Sequence, residues 1–164
     1  MSHIPVLLEE SIDFLRIIPG GNYFDGTYGE GGHSNAILKN LNKEGRLFAT
    51  DLDLGAIEIA KKNMVDNRFS IFHSSFSNIK HLDIPHLDGA IFDFGMSSNQ
   101  LDDPSRGFSF KNNGPIDMRM NTESDANLKK WINNASENEI EDVIRQFGEA
   151  VSYTHLTLPT RLMV

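Results

Sequence analysis

Apolar runs alternate with amphipathic segments along the first hundred residues. Three segments place apolar residues at helical spacing: residues 5–17, 33–41 and 54–64. Four near-continuous apolar runs predict strands: residues 22–27, 44–53, 68–76 and 87–95. Strands that alternate with helices of this length require crossover connections, which make neighbouring strands parallel. The pattern therefore predicts a Rossmann-like α/β sandwich in which helices cover both faces of the sheet.

The periodic pattern stops after Gly95. Residues 96–123 are rich in Asn, Asp, Ser, Gly and Met and have no clear period. We expect an ordered loop there, and long loops in compact domains are commonly functional.

Two further helices are predicted after this loop. The first, over residues 124–133, begins with the cap-type residues Ser124 and Asp125. The second begins with a capping box formed by Ser136 and Glu139 and ends at Gly148. Its apolar stripe is expected to pack in a core or against another helix.

The most distinctive short stretch is the glycine-rich loop in "YFDGTYGEGGHS", residues 23–34. It lacks the lysine of a P-loop, and Ser34 stands where a dinucleotide fingerprint needs its third glycine. An acidic-x-G-x-G-x-G pattern, typical of enzymes that use S-adenosylmethionine (SAM), fits through Asp25, Gly29 and Gly31, with Thr27 at the first glycine position. A tight strand–helix turn without a ligand is the third interpretation.

An acidic residue at the end of the second strand adds to this loop. Asp51 follows Gly31 by twenty residues, where a carboxylate can accept hydrogen bonds from ribose hydroxyls. Asp53 is either a rival for that role or the N-cap of the next helix. The loop and the acid together fit either NAD or SAM.

Composition excludes several kinds of site. The 164 residues contain no cysteine, and the six histidines have no metal-ligand spacing, so we expect no disulfide and no metal centre. No apolar run approaches the ~20 residues that span a bilayer, and the N-terminus does not resemble a signal peptide, which favours the cytoplasm. The net charge of −8 argues mildly against a large nucleic-acid footprint.

Several motifs together resemble one known family. They are "HIPVLLEES", "YFDGTYGEGGHS", "FATDLD", "FSIFHSSF", "DGAIFDFGMSSNQLDDPSRGFSF" and "GPIDMRM". Across residues 3–149 the chain is similar to the bacterial RsmH/MraW family, which methylates N4 of a cytosine in small-subunit (16S) ribosomal RNA. The resemblance implies a class I SAM-dependent methyltransferase fold, SAM as cofactor, and the ribosomal RNA or the assembling subunit as partner.

The resemblance also implies a set of site residues. The SAM contacts would be Gly31, Gly32, His33, Asp51, Phe76, Asp93 and Gln100. Within this set Asp51 would meet the ribose and Phe76 would pack near the adenine. Asp93 is also the best candidate for a catalytic role, because an acceptor for the amine protons is needed after the fourth strand.

The loop after the fourth strand is the expected substrate face. Arg106, Phe108, Phe110 and Arg119 offer the stacking and phosphate contacts used on unstacked RNA bases. The alternative is that the two phenylalanines fix the loop to the core. Because methylation at C5 of cytosine proceeds through a cysteine adduct, the absence of cysteine favours N-methylation.

The resemblance suggests three regions. Residues 1–100 would form the SAM-binding part, residues 101–149 the substrate loop and the start of a helical insert, and residues 150–164 a non-native tail unlike the family. Four strands fall short of a full methyltransferase sheet, so we expect an N-terminal fragment and leave open whether it is active.

Two other classes of protein stay open. A nicotinamide-dependent oxidoreductase would bind NADH and not SAM, and a non-catalytic nucleotide-binding module would show no turnover. The oligomeric state is left undetermined.

Overall fold

The structure, a computed structural model, describes residues 5–125 and 127–148. The chain divides into two compact units. The first contains the residues up to Asp102 together with Met120–Thr122, and the second contains Asp103–Arg119 and the residues from Glu123 onward. The predicted tail, residues 150–164, lies outside the described residues, and the functional division predicted at residues 100 and 101 stays a prediction.

The first unit contains helices and strands in alternation. Its elements are α1 (Leu8–Leu15), β1 (Asn22–Asp25), α2 (Gly32–Asn40), β2 (Arg46–Asp51), α3 (Leu54–Asn63), β3 (Phe69–His73), a 3₁₀ turn (Phe76–His81), β4 (Gly89–Ile91) and α4 (Ser98–Asp102). Each predicted strand and helix of residues 5–95 is present. Helix α2 is shifted by one residue from its predicted bounds, and the other elements are shorter than predicted.

The four strands form one parallel sheet in the order β3-β2-β1-β4. Phe24 of β1 lies opposite Phe48 of β2 on one side and Ala90 of β4 on the other. Strand β4 pairs with β1 at the opposite edge of the sheet from β3. The first three strands are therefore added in one direction across the sheet, and β4 is added on the other side of β1. This is the order of a doubly wound fold, and the predicted Rossmann-like α/β fold is confirmed.

One face of the sheet carries most of the core. Side chains from β1 and β2 pack there against α2 and α3, because successive right-handed crossovers place both helices on the same face. The fully or nearly buried members are Tyr23, Tyr28, Ile37, Leu38, Leu41, Leu47, Ala49, Ala56 and Ala60. Removal of these apolar surfaces from water stabilises the fold by roughly 25 cal/mol per Å².

The opposite face is only partly covered by the described residues. Phe24 is fully buried there, whereas Phe48 is half-buried and both Ser70 and Ala90 are exposed. Helices α2 and α3 both pack on the face that carries Tyr23 and Leu47. Within residues 5–125 and 127–148, the expectation that helices cover both faces is therefore met only for that face.

Helix α1 differs from its prediction. It spans Leu8–Leu15 and not residues 5–17, since Leu7 and Arg16 both adopt left-handed backbone conformations, with φ of 53° and 46°. A left-handed residue cannot continue a right-handed helix. Periodicity detected the apolar face of α1 and could not detect these two ends.

The second unit begins with a 3₁₀ turn, Pro104–Arg106, and contains α5 (Leu128–Asn134) and α6 (Glu137–Phe147). Helix α5 starts later than predicted because Asn127, and not Ser124 or Asp125, caps it by accepting a hydrogen bond from the Lys130 N–H. The predicted loop 96–123 was also partly wrong, since α4 and the 3₁₀ turn lie within it.

Helix α6 begins and ends as predicted. The Ser136 and Glu139 side chains form the reciprocal capping box, and Gly148 is its C-cap. Ile140 of the apolar stripe is buried, whereas Phe147 at the other end of the helix is largely exposed.

Candidate functional site

The carboxyl ends of β1 and β4 lie side by side at the point where the strand order reverses. In open α/β sheets, ligands bind in the crevice outside the strand ends at such a switch point. The Gly26 N–H donates to the Ile91 carbonyl at 2.9 Å, and the Asp93 N–H donates to Thr27 Oγ1 at 2.7 Å. The glycine loop after β1 is thereby fixed to the segment after β4.

The same loop is tied to the end of β2. The Tyr28 N–H donates to the Thr50 carbonyl at 3.1 Å, and Thr50 Oγ1 donates to the Gly26 carbonyl at 3.0 Å. Burial is the main cause that raises the pKa of Tyr28 to about 12, with Asp25 adding to it, so this phenol stays neutral. The loop is thus held from both sides, by the backbone of Gly26 and Tyr28 and by the side chain of Thr27.

Two glycines of the loop adopt backbone conformations that side chains disfavour. Gly29 and Gly31 have φ of 55° and 79°. A Cβ at Gly31 would collide with the Tyr28 hydroxyl, whereas one at Gly29 would meet only a carbonyl oxygen at 4.0 Å. The glycine at position 31 is therefore required both by conformation and by space.

Asp25 forms the buried base of the loop. Its carboxylate accepts hydrogen bonds from Ser34 Oγ at 2.7 Å and from the Thr27 N–H at 3.1 Å. Desolvation dominates over these bonds and raises the pKa of the Asp25 carboxyl above its ordinary value. Through Ser34, Asp25 joins the end of β1 to the first turn of α2.

Asp51 and Asp53 have different surroundings. The half-buried Asp51 accepts the Gly29 N–H and the Asp53 N–H, each at 2.8 Å, which leaves further lone pairs on its oxygens. Asp53 is buried, caps α3 by accepting the Gly55 N–H, and accepts Gln100 Nε2 at 2.7 Å. Of the two acids, Asp51 is therefore the one available for a ribose.

Gln100 is buried in α4, with both ends of its amide hydrogen-bonded. Its Nε2 donates to Asp53, and its Oε1 accepts the Ser97 N–H at 3.0 Å. These bonds fix the segment after β4 to the start of α3. Its predicted contact with a cofactor stays a prediction, and the structure gives Gln100 a positioning role as well.

His33 lies in the first turn of α2, next to Gly31 and Gly32. Its ring is buried, Nδ1 lies 3.9 Å from Asp93 Oδ2, and Nε2 has no hydrogen-bond partner among the described residues. Leaving a buried polar atom unpaired costs about 1–3 kcal/mol, so such an atom points to a ligand. The N-terminus of α2 also offers free N–H groups, so a carboxylate fits this place.

Aromatic side chains form the other side of this region. Phe76 opens the 3₁₀ turn after β3, and its ring lies 5.4 Å from Phe92 and 5.7 Å from Phe94, measured between centroids. Sequence reasoning identified Phe76 and missed the other two. The signal that could have identified Phe92 and Phe94 is their alternation with Asp93 directly after β4, because alternate residues of an extended chain share one side.

The predicted substrate residues lie in the second unit, where most of them have structural partners. Arg119 binds Asp117 through two hydrogen bonds of 2.5 and 2.8 Å and lowers the pKa of that carboxyl. Arg106 donates to the Arg119 carbonyl and lies 6.0 Å above the ring of the buried Phe108. Phe110, in contrast, is fully exposed.

The sequence left open whether Phe108 and Phe110 contact RNA or fix the loop to the core. Phe108 is buried, as a core contact requires, whereas Phe110 is exposed, as an RNA contact requires. RNA contacts by these four residues stay a prediction.

Within residues 5–125 and 127–148, no cluster of three or more His, Cys, Asp or Glu side chains could hold a metal ion. No helix in that part of the chain is long and apolar enough to cross a membrane.

Comparison with known proteins gives concordant matches. The chain is 48% identical over 151 residues to "Ribosomal RNA small subunit methyltransferase H" of Nitrosomonas eutropha, with 90% of this chain and 47% of that protein covered. It is 49% identical over 153 residues to the protein of the same name from Legionella pneumophila, covering 90% and 50%. A crystal structure of an rRNA methylase from Streptococcus thermophilus aligns with a TM-score of 0.45 and 23% identity, covering 56% and 52%.

The chain spans about half the length of the curated relatives it matches. A family model described as the MraW methylase family matches residues 1–157, beyond the predicted tail boundary at residue 150. Because this match includes nearly the whole chain, the protein belongs to the MraW methylase family.

Proposed function

We propose that the protein takes part in SAM-dependent methylation of N4 of a cytosine in small-subunit ribosomal RNA. The observation that carries the proposal is membership of the MraW methylase family, and the position of the glycine loop, His33 and Asp51 near the switch point of the sheet supports it. The names of the relatives support small-subunit ribosomal RNA as substrate. The reaction would take place in the cytoplasm, on the RNA or on the assembling subunit.

The residues at the switch point fit SAM. The first turn of α2, with Gly31, Gly32 and His33, would hold the carboxylate of the methionine part, and the unpaired Nε2 of His33 supports this assignment. Asp51 would accept hydrogen bonds from the ribose hydroxyls. When bound, SAM supplies a methyl group on a positively charged sulfur.

The remaining predicted contacts would complete the site. Phe76 would pack near the adenine, and Asp93 and Gln100 would line the segment after β4. Gln100 would act mainly by fixing that segment, because both ends of its amide are already bonded to the protein. The glycine loop would be held in place beside the cofactor by its hydrogen bonds with Thr50 and Asp93.

Asp93 is the best candidate to handle the proton of the amine. The N4 amine of cytosine is a weak nucleophile because its lone pair is delocalised into the ring, so an acceptor for its N–H groups would favour attack. The Asp93 carboxylate is 59% exposed, while its backbone N–H is fixed by Thr27 and His33 lies beside it. It therefore combines a fixed backbone with access to solvent.

The test is methyl transfer from SAM to purified small-subunit ribosomal RNA, followed by nucleoside mass spectrometry. We expect N4-methylcytidine, and we expect Asp93→Asn to lower kcat more than it raises the KM for SAM. A control variant, Asp88→Asn, changes a carboxylate at the opposite end of the strands and should keep activity. Formation of 5-methylcytidine, or of no methylated nucleoside by a chain extended to the length of its relatives, would contradict the proposal.

A further inference from the structure

Three aromatic rings form a cluster at the carboxyl ends of the strands. The cluster consists of Phe76, Phe92 and Phe94, and the rings of the last two lie nearly parallel, at 14° with centroids 6.0 Å apart. Phe92 also packs edge-on against the buried Phe24 and lies so close to Gly26 that a Cβ there would collide with it. Its inner side is therefore anchored in the fold.

The exposure of the cluster increases outward. Phe92 is 42% exposed and Phe94 is 72% exposed, although each large ring removed from water would stabilise the fold. A Cβ on the following residue, Gly95, would meet no atom within 4 Å. The outer ring, that of Phe94, thus lies against the rings of Phe76 and Phe92 and is largely accessible to solvent, as a surface for stacking requires.

The residues after β4 contribute alternately to two sides of the site. Phe92 and Phe94 contact Phe76, whereas Asp93 between them approaches His33. The ribose acceptor Asp51 lies at the end of β2, adjacent to β3, from which Phe76 follows. Phe94 follows β4, at the opposite edge of the sheet from β3, and its ring lies 5.7 Å from that of Phe76.

We propose that the outer face of Phe94 stacks on a nucleobase of single-stranded RNA and so helps to present the substrate base. The inference rests on the proposed function, which it deepens by assigning a substrate-positioning residue. Aromatic stacking suits a base that has left its duplex, because the flat faces of ring and base attract each other without requiring a particular sequence. Phe92 and Phe76 support the ring of Phe94 from behind.

The experiment measures binding of the 164-residue chain to a short fluorescent oligocytidylate and to an abasic oligomer of equal length, at low ionic strength. Affinity for S-adenosylhomocysteine is measured in parallel. We expect Phe94→Ala to weaken binding of the oligocytidylate about 5- to 150-fold, and to leave the abasic oligomer and S-adenosylhomocysteine within twofold. Phe94→Trp should keep the affinity, while Phe94→Leu should lose most of it.

Phe14→Ala is the matched control, since Phe14 is 87% exposed on α1 and should not change RNA binding. The proposal is overturned if Phe94→Ala binds both oligomers like the wild type, or if the loss appears with S-adenosylhomocysteine, which would assign the ring to the adenine of the cofactor. It is equally overturned if the wild type does not prefer the oligomer that carries bases. Base-dependent binding together with 5-methylcytidine as the methylated product would contradict the proposed function and leave the stacking role standing.

Discussion

At the scale of single residues, two neighbouring carboxylates have separate tasks. Asp53 has a structural task, because its carboxylate caps α3 and accepts a hydrogen bond from Gln100. Asp51 accepts two backbone N–H groups and remains half-exposed to the crevice. Spacing placed both acids at the end of β2 without choosing between them, and only the family resemblance favoured Asp51. The choice depends on Gln100, which lies far away along the chain.

Asp51→Asn should weaken binding of S-adenosylhomocysteine about 10- to 150-fold, because a hydrogen bond to a charged group contributes roughly 1.5–3 kcal/mol. Calorimetric titration measures the change. Asp88→Asn is the matched control, since Asp88 also accepts a backbone N–H, that of Asn22, at the other end of β1. Equal affinities of the two variants for S-adenosylhomocysteine would show that Asp51 does not contact the ligand.

Asp25 makes stability depend on pH in a defined direction. Burial raises the pKa of its carboxyl in the folded protein, so folding favours the protonated form. The stabilisation from this group is therefore complete below the ordinary pKa of 3.8 and is lost as pH rises through the higher folded value.

Asp25→Asn should consequently flatten the pH dependence of the free energy of unfolding. The amide oxygen can still accept the Thr27 N–H, and no charge has to be buried at neutral pH. Urea unfolding from about pH 4 to about pH 8 compares the two proteins, and the wild type should lose more stability across this range. Parallel profiles would show that the Asp25 carboxyl has the same pKa in both states.

At the scale of elements, periodicity predicted the order of strands and helices in the first unit, because burial of one face imposes it. The ends of elements were harder to predict. The capping box of α6 uses side chains that are three residues apart, so the sequence displays it. The ends of α1 depend on left-handed conformations at Leu7 and Arg16, for which neither residue type gives a signal.

The glycine loop allows a matched comparison within one element. Gly29→Ala and Gly31→Ala both force alanine into a left-handed conformation, at about 1–2 kcal/mol each. Only the second also drives a methyl group into Tyr28. Urea unfolding should therefore show a clearly larger loss for Gly31→Ala, and equal losses would mean that Tyr28 moves aside without cost.

At the scale of the whole molecule, the sequence places its candidate site residues at the ends of parallel strands, which meet at one edge of the sheet. Gly31, His33, Asp51 and Asp93 all follow or flank predicted strands; His33 lies 3.9 Å from Asp93, and Asp51 binds the glycine loop through the Gly29 N–H. The engagement of Arg119 with Asp117 was not predictable in the same way. Either Arg106 or Arg119 could have pointed to solvent, and only the folded loop decides which side chains form internal hydrogen bonds.

The central claim is that this crevice is a SAM site and not a dinucleotide site. Calorimetric titration of the 164-residue chain with S-adenosylhomocysteine, and separately with NADH, tests it most directly. We predict saturable binding of one S-adenosylhomocysteine per chain and no heat of binding with NADH. The claim would be contradicted if NADH binds. It would also be contradicted if S-adenosylhomocysteine gives no heat of binding with a chain that circular dichroism shows to be folded.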